Sequence, residues 1–324
     1  MSQFGIHYDL MISYRPAHLT TDAPGLAHLL SLTTTEPVTV EQVHKRWQPA
    51  EGQARFTNVA LNDEGQIVGL ADVGREAWLK PGRVRLTLVV APEWRHQGIG
   101  SRMFAEGIRF AQAQGASRVE SDVRENAAEA LGFAQRRGYR VDRHSFESTL
   151  DLASFDERPF ASTLERARAA GLRFFSLADL APVTEQLERR LYELNRVTGL
   201  DNPGNNGFFS PYEEFRTFVF EASWFRPDGQ ILAADGEQWV GLAAVAFYPE
   251  ANYAYNAFTG VERAYRGRGL ACALKLLAIR WAQQVGARTM RTNNDSRNAP
   301  MLAINRKLGY RPEPGMIYLV RDLR

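Results

Sequence analysis

A single cysteine, Cys272, stands in the 324 residues, so no disulfide can close within the chain and no cysteine cluster can hold zinc. No metal is expected. Histidine is scarce and unevenly placed: the six are His7, His18, His28, His44, His96 and His144, and none follows. A general base in the second half must therefore be something other than a histidine of that half. The formal net charge is only +2, which gives non-specific nucleic-acid binding no global electrostatic support. No stretch approaches the roughly 18–20 apolar residues that a membrane span needs. Residues 1–14 also lack a basic region followed by an apolar run and a small-residue cleavage site. A cytoplasmic protein is expected, with neither a nucleic acid nor a membrane as partner.

What is present is an ordinary folding composition, 44% hydrophobic and 23% charged, at a length comfortable for two domains of about 150 residues each. Those two domains repeat each other. Trp94-Arg95-His96-Gln97-Gly98-Ile99-Gly100 matches Tyr265-Arg266-Gly267-Arg268-Gly269-Leu270-Ala271 at an offset of 171 residues. Gly115-Ala116 pairs with Gly286-Ala287, and Gly138-Tyr139-Arg140 with Gly309-Tyr310-Arg311, at the same offset. One matched glycine loop is cheap; a match held in register over some 40 residues points to duplication of a whole domain. The period is far beyond the ~20–50 residues of solenoid repeats.

The two copies predict the same order of elements. In the first, a strand at 10–14 leads to helices near 23–33 and 39–48, then strands at 55–61, 67–73 and 84–90. Lys80-Pro81-Gly82 supplies turn chemistry before the last of these, whose β-branched content favours a strand. A helix from Gly98 runs to a left-handed cap at Gly115, followed by a strand at 118–123, a helix at 126–138 and a closing strand to about Leu152. The second copy predicts helices near 183–197 and 210–222, strands near 230–234, 239–247 and 253–261, a helix at 269–285, a strand at 288–292, a helix at 298–308 and a strand at 316–321. Leu270, Leu274, Leu277 and Trp281 recur at helical spacing, which turns one face of that helix to a sheet. The expected division is 1–155 and 156–324, with the helical stretch at 163–170 a connector or part of the second domain.

A strand, then Arg-x-x-Gly-x-Gly/Ala, then an amphipathic helix makes an anion site. The first backbone N–H groups of the helix point outward and the macrodipole adds partial positive charge. Small residues let the backbone approach a diphosphate, and Arg95 and Arg266 can add charge-assisted hydrogen bonds. A P-loop would need Gly-Lys-Ser/Thr, and a dinucleotide fingerprint a third glycine where Met103 and Leu274 stand. A plain strand-to-helix turn would suffice for one loop alone; two in identical context favour a ligand.

These residues resemble the GNAT acetyltransferase superfamily, in tandem form. The resemblance rests on Arg95…Gly98-Ile99-Gly100 with Asn126…Gly138-Tyr139, and on Arg266…Gly269-Leu270-Ala271 with Asn298…Asn305…Gly309-Tyr310. It covers nearly the whole chain and implies, for each copy, an α/β (α+β) domain with a mixed, mostly antiparallel sheet flanked by helices. It also implies acetyl-CoA as co-substrate. The loops would hold its diphosphate through Arg95, His96, Gln97, Gly98, Ile99, Gly100 and Ser101 in the first copy, and through Arg266, Gly267, Arg268, Gly269, Leu270 and Ala271 in the second. Leu88, Val89 and Val90, and Thr259, Gly260 and Val261, would pair with the pantetheine arm, one of their N–H groups stabilising the oxyanion. Asn126, Asn294, Asn298 and Asn305 complete the expected contacts.

The pattern departs from the family where many members carry a tyrosine, four residues before the Gly-Tyr pair, to protonate the leaving thiolate. Ala134 and Asn305 stand there, and neither donates a proton as a phenol does. Asn305 is a candidate for the catalytic set, or for a contact with coenzyme A. Glu250, Asp201, Glu213 and Glu214 are the carboxylate candidates for a base in the second copy, although most Asp and Glu are solvated. His96 in its loop is expected to meet phosphate or solvent, and Cys272 to pack. The Gly/Asn/Pro-rich segment 200–209 reads as an irregular loop that would border the acceptor site, where the first copy has only Thr33-Thr34-Thr35-Glu36-Pro37. This asymmetry and the fuller asparagine set favour the second copy as the catalytic one, the first being structural or degenerate. The expected reaction is acetyl transfer to a primary amine of a small molecule by direct attack. A narrower variant has the cysteinyl amine of a pseudodisaccharide as acceptor, as in a tandem family member of similar length. A non-catalytic coenzyme A-binding or sensing module is the alternative. The oligomeric state is left open.

Overall fold

The computed structural model describes residues 11–34, 37–47, 54–76, 79–203, 205 and 207–323. Leu10 of the first expected strand, Thr35 and Glu36, the end of the helix expected to reach 48, His7, and Gly204 and Asn206 of the expected acceptor loop lie outside the described residues.

The first copy folds as β1 (Ser13–Pro16), α1 (Leu19–Ser31), α2 (Val40–Arg46), β2 (Phe56–Leu61), β3 (Ile67–Gly74), β4 (Arg83–Val90), α3 (Ile99–Ala113), β5 (Arg118–Arg124), α4 (Ala128–Gln135) and β6 (Arg140–Asp151). The second runs α5 (Ala161–Ala169), β7 (Leu172–Ser176), α6 (Glu185–Gly199), α7 (Tyr212–Phe215), β8 (Gln230–Asp235), β9 (Gln238–Tyr248), β10 (Tyr253–Val261), α8 (Leu270–Gln284), β11 (Thr289–Asp295), α9 (Ala299–Lys307), β12 (Arg311–Pro312) and β13 (Met316–Asp322). Strand β7 carries no clean alternation and was not expected. The helix expected at 210–222 is instead the four residues of α7 followed by a π-helical turn, Arg216–Phe220. No described helix is long and apolar enough to cross a membrane.

The chain forms two compact units, Met1–Asp142 with Met316–Arg324, and Arg143–Gly315. They differ from the 1–155 and 156–324 of the repeat because the closing strands are exchanged. In the first unit the sheet order is β1-β2-β3-β4-β5-β13, with Met316–Asp322 antiparallel to Arg124–Arg118 of β5. In the second it is β6-β11-β10-β9-β8-β7, with Ser145–Asp151 of β6 antiparallel to β11 and the short β12 also on β6. Each sheet thus takes its last strand from the other copy. The only parallel pairs described in either sheet are β4 with β5 and β10 with β11.

Both sheets are covered on two faces. In the first unit Leu26, Leu29 and Val43 of α1 and α2 pack on Val59, Leu70 and Val89, while Phe104 and Ile108 of α3 pack opposite on Val73, Leu86 and Leu319. In the second, Leu191 and Leu194 of α6 meet Leu232 and Leu242, and Leu274, Ala278 and Ile279 of α8 meet Ala243, Val245 and Ala254 on the other face. Apolar side chains at alternate strand positions and at helical spacing explain both layers.

Candidate active site

Each parallel pair of strands leads into one of the glycine loops. After β4 a single 3-10 turn, Pro92–Trp94, is followed by Arg95 and the start of α3; after β10, Arg263–Tyr265 is followed by Arg266 and α8. The arginine does the same in both: Arg95 Nε donates to the Val90 carbonyl at 3.1 Å, and Arg266 Nε to Val261 at 3.0 Å. The chain then turns through two left-handed residues. Gly98 and Gly269, at φ of 83° and 80°, precede the helices, and the earlier left-handed position is Gly267 in the second copy but His96, at 62°, in the first. Glycine takes this conformation without the Cβ penalty that His96 bears. A Cβ placed at Gly98, Gly267 or Gly269 would meet nothing within 4 Å, and neither helix has a side-chain cap at its N-terminus. The first-turn amides of α3 and α8 are therefore presented at an open approach, and a diphosphate fits such a mouth.

The two loops are guarded differently. Glu129 of α4 stands 3.4 Å from Arg95 and 3.3 Å from the His96 ring. In the second unit Asp201, just after α6, bridges Arg263 and Arg266 at 2.7 Å each. Hydrogen bonds from Arg263 and then Arg266 hold its carboxyl below the usual range, which makes Asp201 a poor general base and a clasp for the loop instead. Gln97 turns back to the Glu93 carbonyl at 3.3 Å, and Arg268 lies 5.3 Å from the Tyr265 ring centre. Ile99 and Leu270 are buried and serve the loops only through their backbone. Gly100 faces the Phe133 ring, and Ser101 accepts from Arg137 at 2.6 Å.

Beside each loop the parallel strands part. Pairing of β10 with β11 covers only Tyr253–Tyr255 against Thr289–Arg291, although β10 continues to Val261. The backbone groups of the later residues that face β11 have no strand partner among the described residues, so a wedge opens next to the Arg266 loop. The first unit has the same parting after Arg85 and Glu120. Only the second has a bulge there: Asn256 pairs with Val245 and Phe258 with Ala244, leaving Ala257 as an extra, exposed residue in mid-strand. Strand β4 pairs with β3 without interruption over Arg85–Val90. The insertion also shows in the repeat, since β4 and β10 are offset by 170 residues before the bulge and by 171 after it.

The expected asparagines are not all where a ligand would meet them. Asn294 and Asn305 are 6% and 3% exposed, and Asn305 Nδ2 donates to Asn294 Oδ1 at 2.7 Å. Asn294 Nδ2 in turn donates to the Ser148 hydroxyl at 2.9 Å and the Phe146 carbonyl at 3.1 Å, both on β6. These two residues tie α9 to β11 and to the exchanged strand. Asn305 Oδ1 is buried with no partner. Asn298 caps α9 by accepting from the Met301 N–H at 3.3 Å, whereas in the first copy Ala127 is the cap and the exposed Asn126 lies one residue before it. Gly260 serves packing: a Cβ there would fall 2.4 Å from the Thr198 hydroxyl of α6, so its small size lets α6 close on β10. Its counterpart Val89 is simply buried; Leu88 and Val90 are half-buried. Thr259 points its hydroxyl to Asn256 Oδ1 at 2.9 Å.

The structure does not bring Glu250 to the loop. It is exposed in the turn before β10, at the far end of that nine-residue strand from Val261, roughly 27 Å away at about 3.3 Å per residue. Glu213 and Glu214 lie exposed on α7. Burial pushes the Cys272 thiol up, which suits packing rather than nucleophilic chemistry. Among the described residues, no group of three or more His, Cys, Asp or Glu side chains is arranged to hold a metal ion. Sequence reasoning missed Asn256, Ala257 and Lys275. The available signal was Lys275 itself, a charge inside the apolar run Leu270-Ala-Cys-Ala-Leu-Lys-Leu-Leu-Ala-Ile279.

Two loops in matched context, each beside a parted parallel pair, agree with what family comparison finds. The model described as Acetyltransferase (GNAT) family matches residues 23–139 and 191–310, well over half the chain. The chain belongs to the acetyltransferase (GNAT) family. It is a tandem GNAT N-acetyltransferase resembling mycothiol synthase. Mycothiol acetyltransferase of Corynebacterium glutamicum (strain R) is 26% identical over 266 residues, 81% of this chain and 80% of that protein. The protein of the same name from Pseudarthrobacter chlorophenolicus is 26% identical over 69% of this chain and 66% of its own length. Among solved structures, a GCN5-related N-acetyltransferase from Sphaerobacter thermophilus superposes with a TM-score of 0.67 at 20% identity, covering 97% of this chain and 96% of that one. A tandem GNAT protein from the clavulanic acid biosynthesis pathway gives 0.61 at 19% identity, covering 96% and 98%. The fold of both GNAT units is thereby shared with solved structures, a tandem GNAT protein among them.

Proposed function

We propose that the second unit transfers the acetyl group of acetyl-CoA to a primary amine of a small molecule by direct attack, and that the first unit is structural or degenerate in catalysis. The observation that carries this is the coincidence, in the second unit alone, of an open glycine loop, a parted strand edge and a bulge in that edge. The α8 amides and Arg266 hold the diphosphate, with Asp201 exchanging its hold on Arg266 for that of the phosphate. The unpaired edge of β10 after Tyr255 takes the amides of the pantetheine arm. A fixed backbone N–H near the bulge faces the charge that develops on the acetyl oxygen, a contribution typically worth about 3–4 kcal/mol. Positioning of the neutral amine supplies much of the remaining rate. With no phenol at position 305 and Asn305 committed to Asn294, water takes the proton that the attacking amine loses and supplies the one that the leaving thiolate gains. The curated relatives favour a narrower version, in which the acceptor is the cysteinyl amine of a mycothiol-related pseudodisaccharide.

The experiment offers acetyl-CoA with a panel of primary amines, that cysteinyl glycoside included, and follows thiol release. Turnover is expected from the wild type, and Arg266→Ala should weaken acetyl-CoA binding by about tenfold, from loss of a charge-assisted contact. Arg95→Ala should leave turnover unchanged. Absence of acetyl-CoA binding and of thiol release with every amine overturns the proposal; turnover lost through Arg95→Ala but kept in Arg266→Ala reverses the assignment of units.

A further inference from the structure

Lys275 is 1% exposed in the middle of α8, and among the described residues it forms no ion pair. A buried ammonium without a carboxylate is costly, and burial pushes this one down to about 7. Its Nζ donates to Asn256 Oδ1 at 2.7 Å and sits 5.0 Å from the centre of the Tyr310 ring. Asn256, also 1% exposed, is the residue at which the β10 register breaks. Its Nδ2 donates to the carbonyls on either side of that break, Ala244 of β9 at 3.1 Å and Phe258 of β10 at 2.8 Å. Its own carbonyl accepts from the Thr292 hydroxyl of β11 at 3.0 Å. One side chain and its backbone thus link the three strands at the point where the wedge opens.

That linkage works in only one orientation of the Asn256 amide. Turned over, Oδ1 would face two carbonyl oxygens. The second neighbour of Oδ1, Thr259 Oγ1, is a hydroxyl and can donate or accept, so it does not choose the orientation. An ammonium only donates. The first unit is the built-in control. Where the parallel pairs are superposed, Leu86 stands for Asn256 and Phe104 for Lys275, both in the apolar core, and β4 has no bulge.

We propose that Lys275 is a positioning residue for acyl transfer: by donating to Oδ1 it fixes the Asn256 amide, and Asn256 so oriented holds the β10 bulge and the wedge beside the glycine loop. This rests on the reading of the second unit as the catalytic one.

The test compares Lys275→Met, which keeps the stem without a donor, with Lys275→Gln, which loses the charge but keeps a donor. The double variant Asn256→Leu/Lys275→Met restores apolar partners like those of the first unit, so it retains the fold even if a lone unpartnered Asn256 does not. Acetyl transfer is measured together with amide hydrogen exchange over Tyr253–Val261. Lys275→Met and the double variant are expected to lose kcat by about tenfold or more, in the range of a misplaced oxyanion donor, with KM for acetyl-CoA rising by a smaller factor, because the wedge edge loosens while the glycine loop is untouched. Exchange at 256–260 should quicken in both, and Lys275→Gln, whose amide can donate to Oδ1 but can also turn its own oxygen there, should recover kcat and protection in part, to a level between Lys275→Met and the wild type. Equal losses in Met and Gln, or wild-type kcat and exchange in either Met variant, overturn the proposal. Should the wild type itself show no acetyl transfer, the functional reading fails, and the exchange comparison still decides the role of Lys275.

Discussion

Lys275 also has a thermodynamic signature independent of any acceptor. Its folded-state pKa, about 7, lies below the ordinary 10.5, so between these values the unfolded chain holds a proton that the folded chain lacks. Stability from this group therefore rises with pH across that window and rests at its reduced level below it. Such a shift amounts to a few kcal/mol, on the order of 1.4 for each unit. Lys275→Met removes the effect. Its stability advantage over the wild type is expected to be greatest near pH 7 and to shrink as pH rises toward about 10, read from urea midpoints of the two proteins. A difference independent of pH would show that the buried ammonium does not titrate low. At the loop, Gly269→Ala is expected to cost about 1–2 kcal/mol, because the left-handed backbone penalises any Cβ even though the space beside it is open. Thermal denaturation checks this; a neutral result would mean that the turn relaxes.

Among the elements, β10 and α6 make a close contact at Gly260. A Cβ on Gly260 would stand 2.4 Å from Thr198 Oγ1 and 2.7 Å from Thr198 Cβ, with Thr198 buried and hydrogen-bonded to Leu194. Gly260→Ala should destabilise by about 1–3 kcal/mol through overpacking. Val89→Ala, at the matching place in the first unit, should instead lose the burial of an apolar side chain, about 1–2 kcal/mol. Denaturant titration checks both losses and acetyl transfer separates them, since the first change pushes α6 off the strand and should impair transfer while the second should not. Most of these elements were legible from period and turn chemistry. The bulge was not, because an inserted Ala257 between Asn256 and Phe258 has no local signal; the Asn256 side chain spans it to Ala244 of β9 and to Phe258, with Lys275 of another element on its Oδ1.

For the molecule as a whole, the exchanged closing strands make a prediction that division at the repeat boundary would miss. Leu319 and Val320 of β13 are fully buried or nearly so in the first unit, and Arg118 holds Asp322 at 2.6 Å. A chain ending at Gly315 should lose the edge partner of β5, so protease should cut the first unit sooner than the second. A fragment of residues 1–155 alone should fold poorly and regain protection when the peptide 316–324 is added. If 1–155 is as resistant as the intact chain, β6 has taken the place of β13 and the exchange is not required for folding.

The amino-acid pattern alone determined the duplication, the glycine loops at strand-to-helix junctions and the family they resemble, because each depends on residues a few positions apart: a left-handed turn, an apolar stripe, a capping glycine. Tertiary structure decided the rest. Which edge each closing strand joins is open locally, since the edges of β5 and β11 are equivalent and either satisfies the backbone. Asn294 turned inward because its partners lie on β6, a strand contributed by the other copy, and Asn305 turned inward to donate to Asn294. Lys275 acquired its role because Asn256, 19 residues away, needs one fixed donor. Contacts between distant residues give no periodicity to read, and there the sequence was silent.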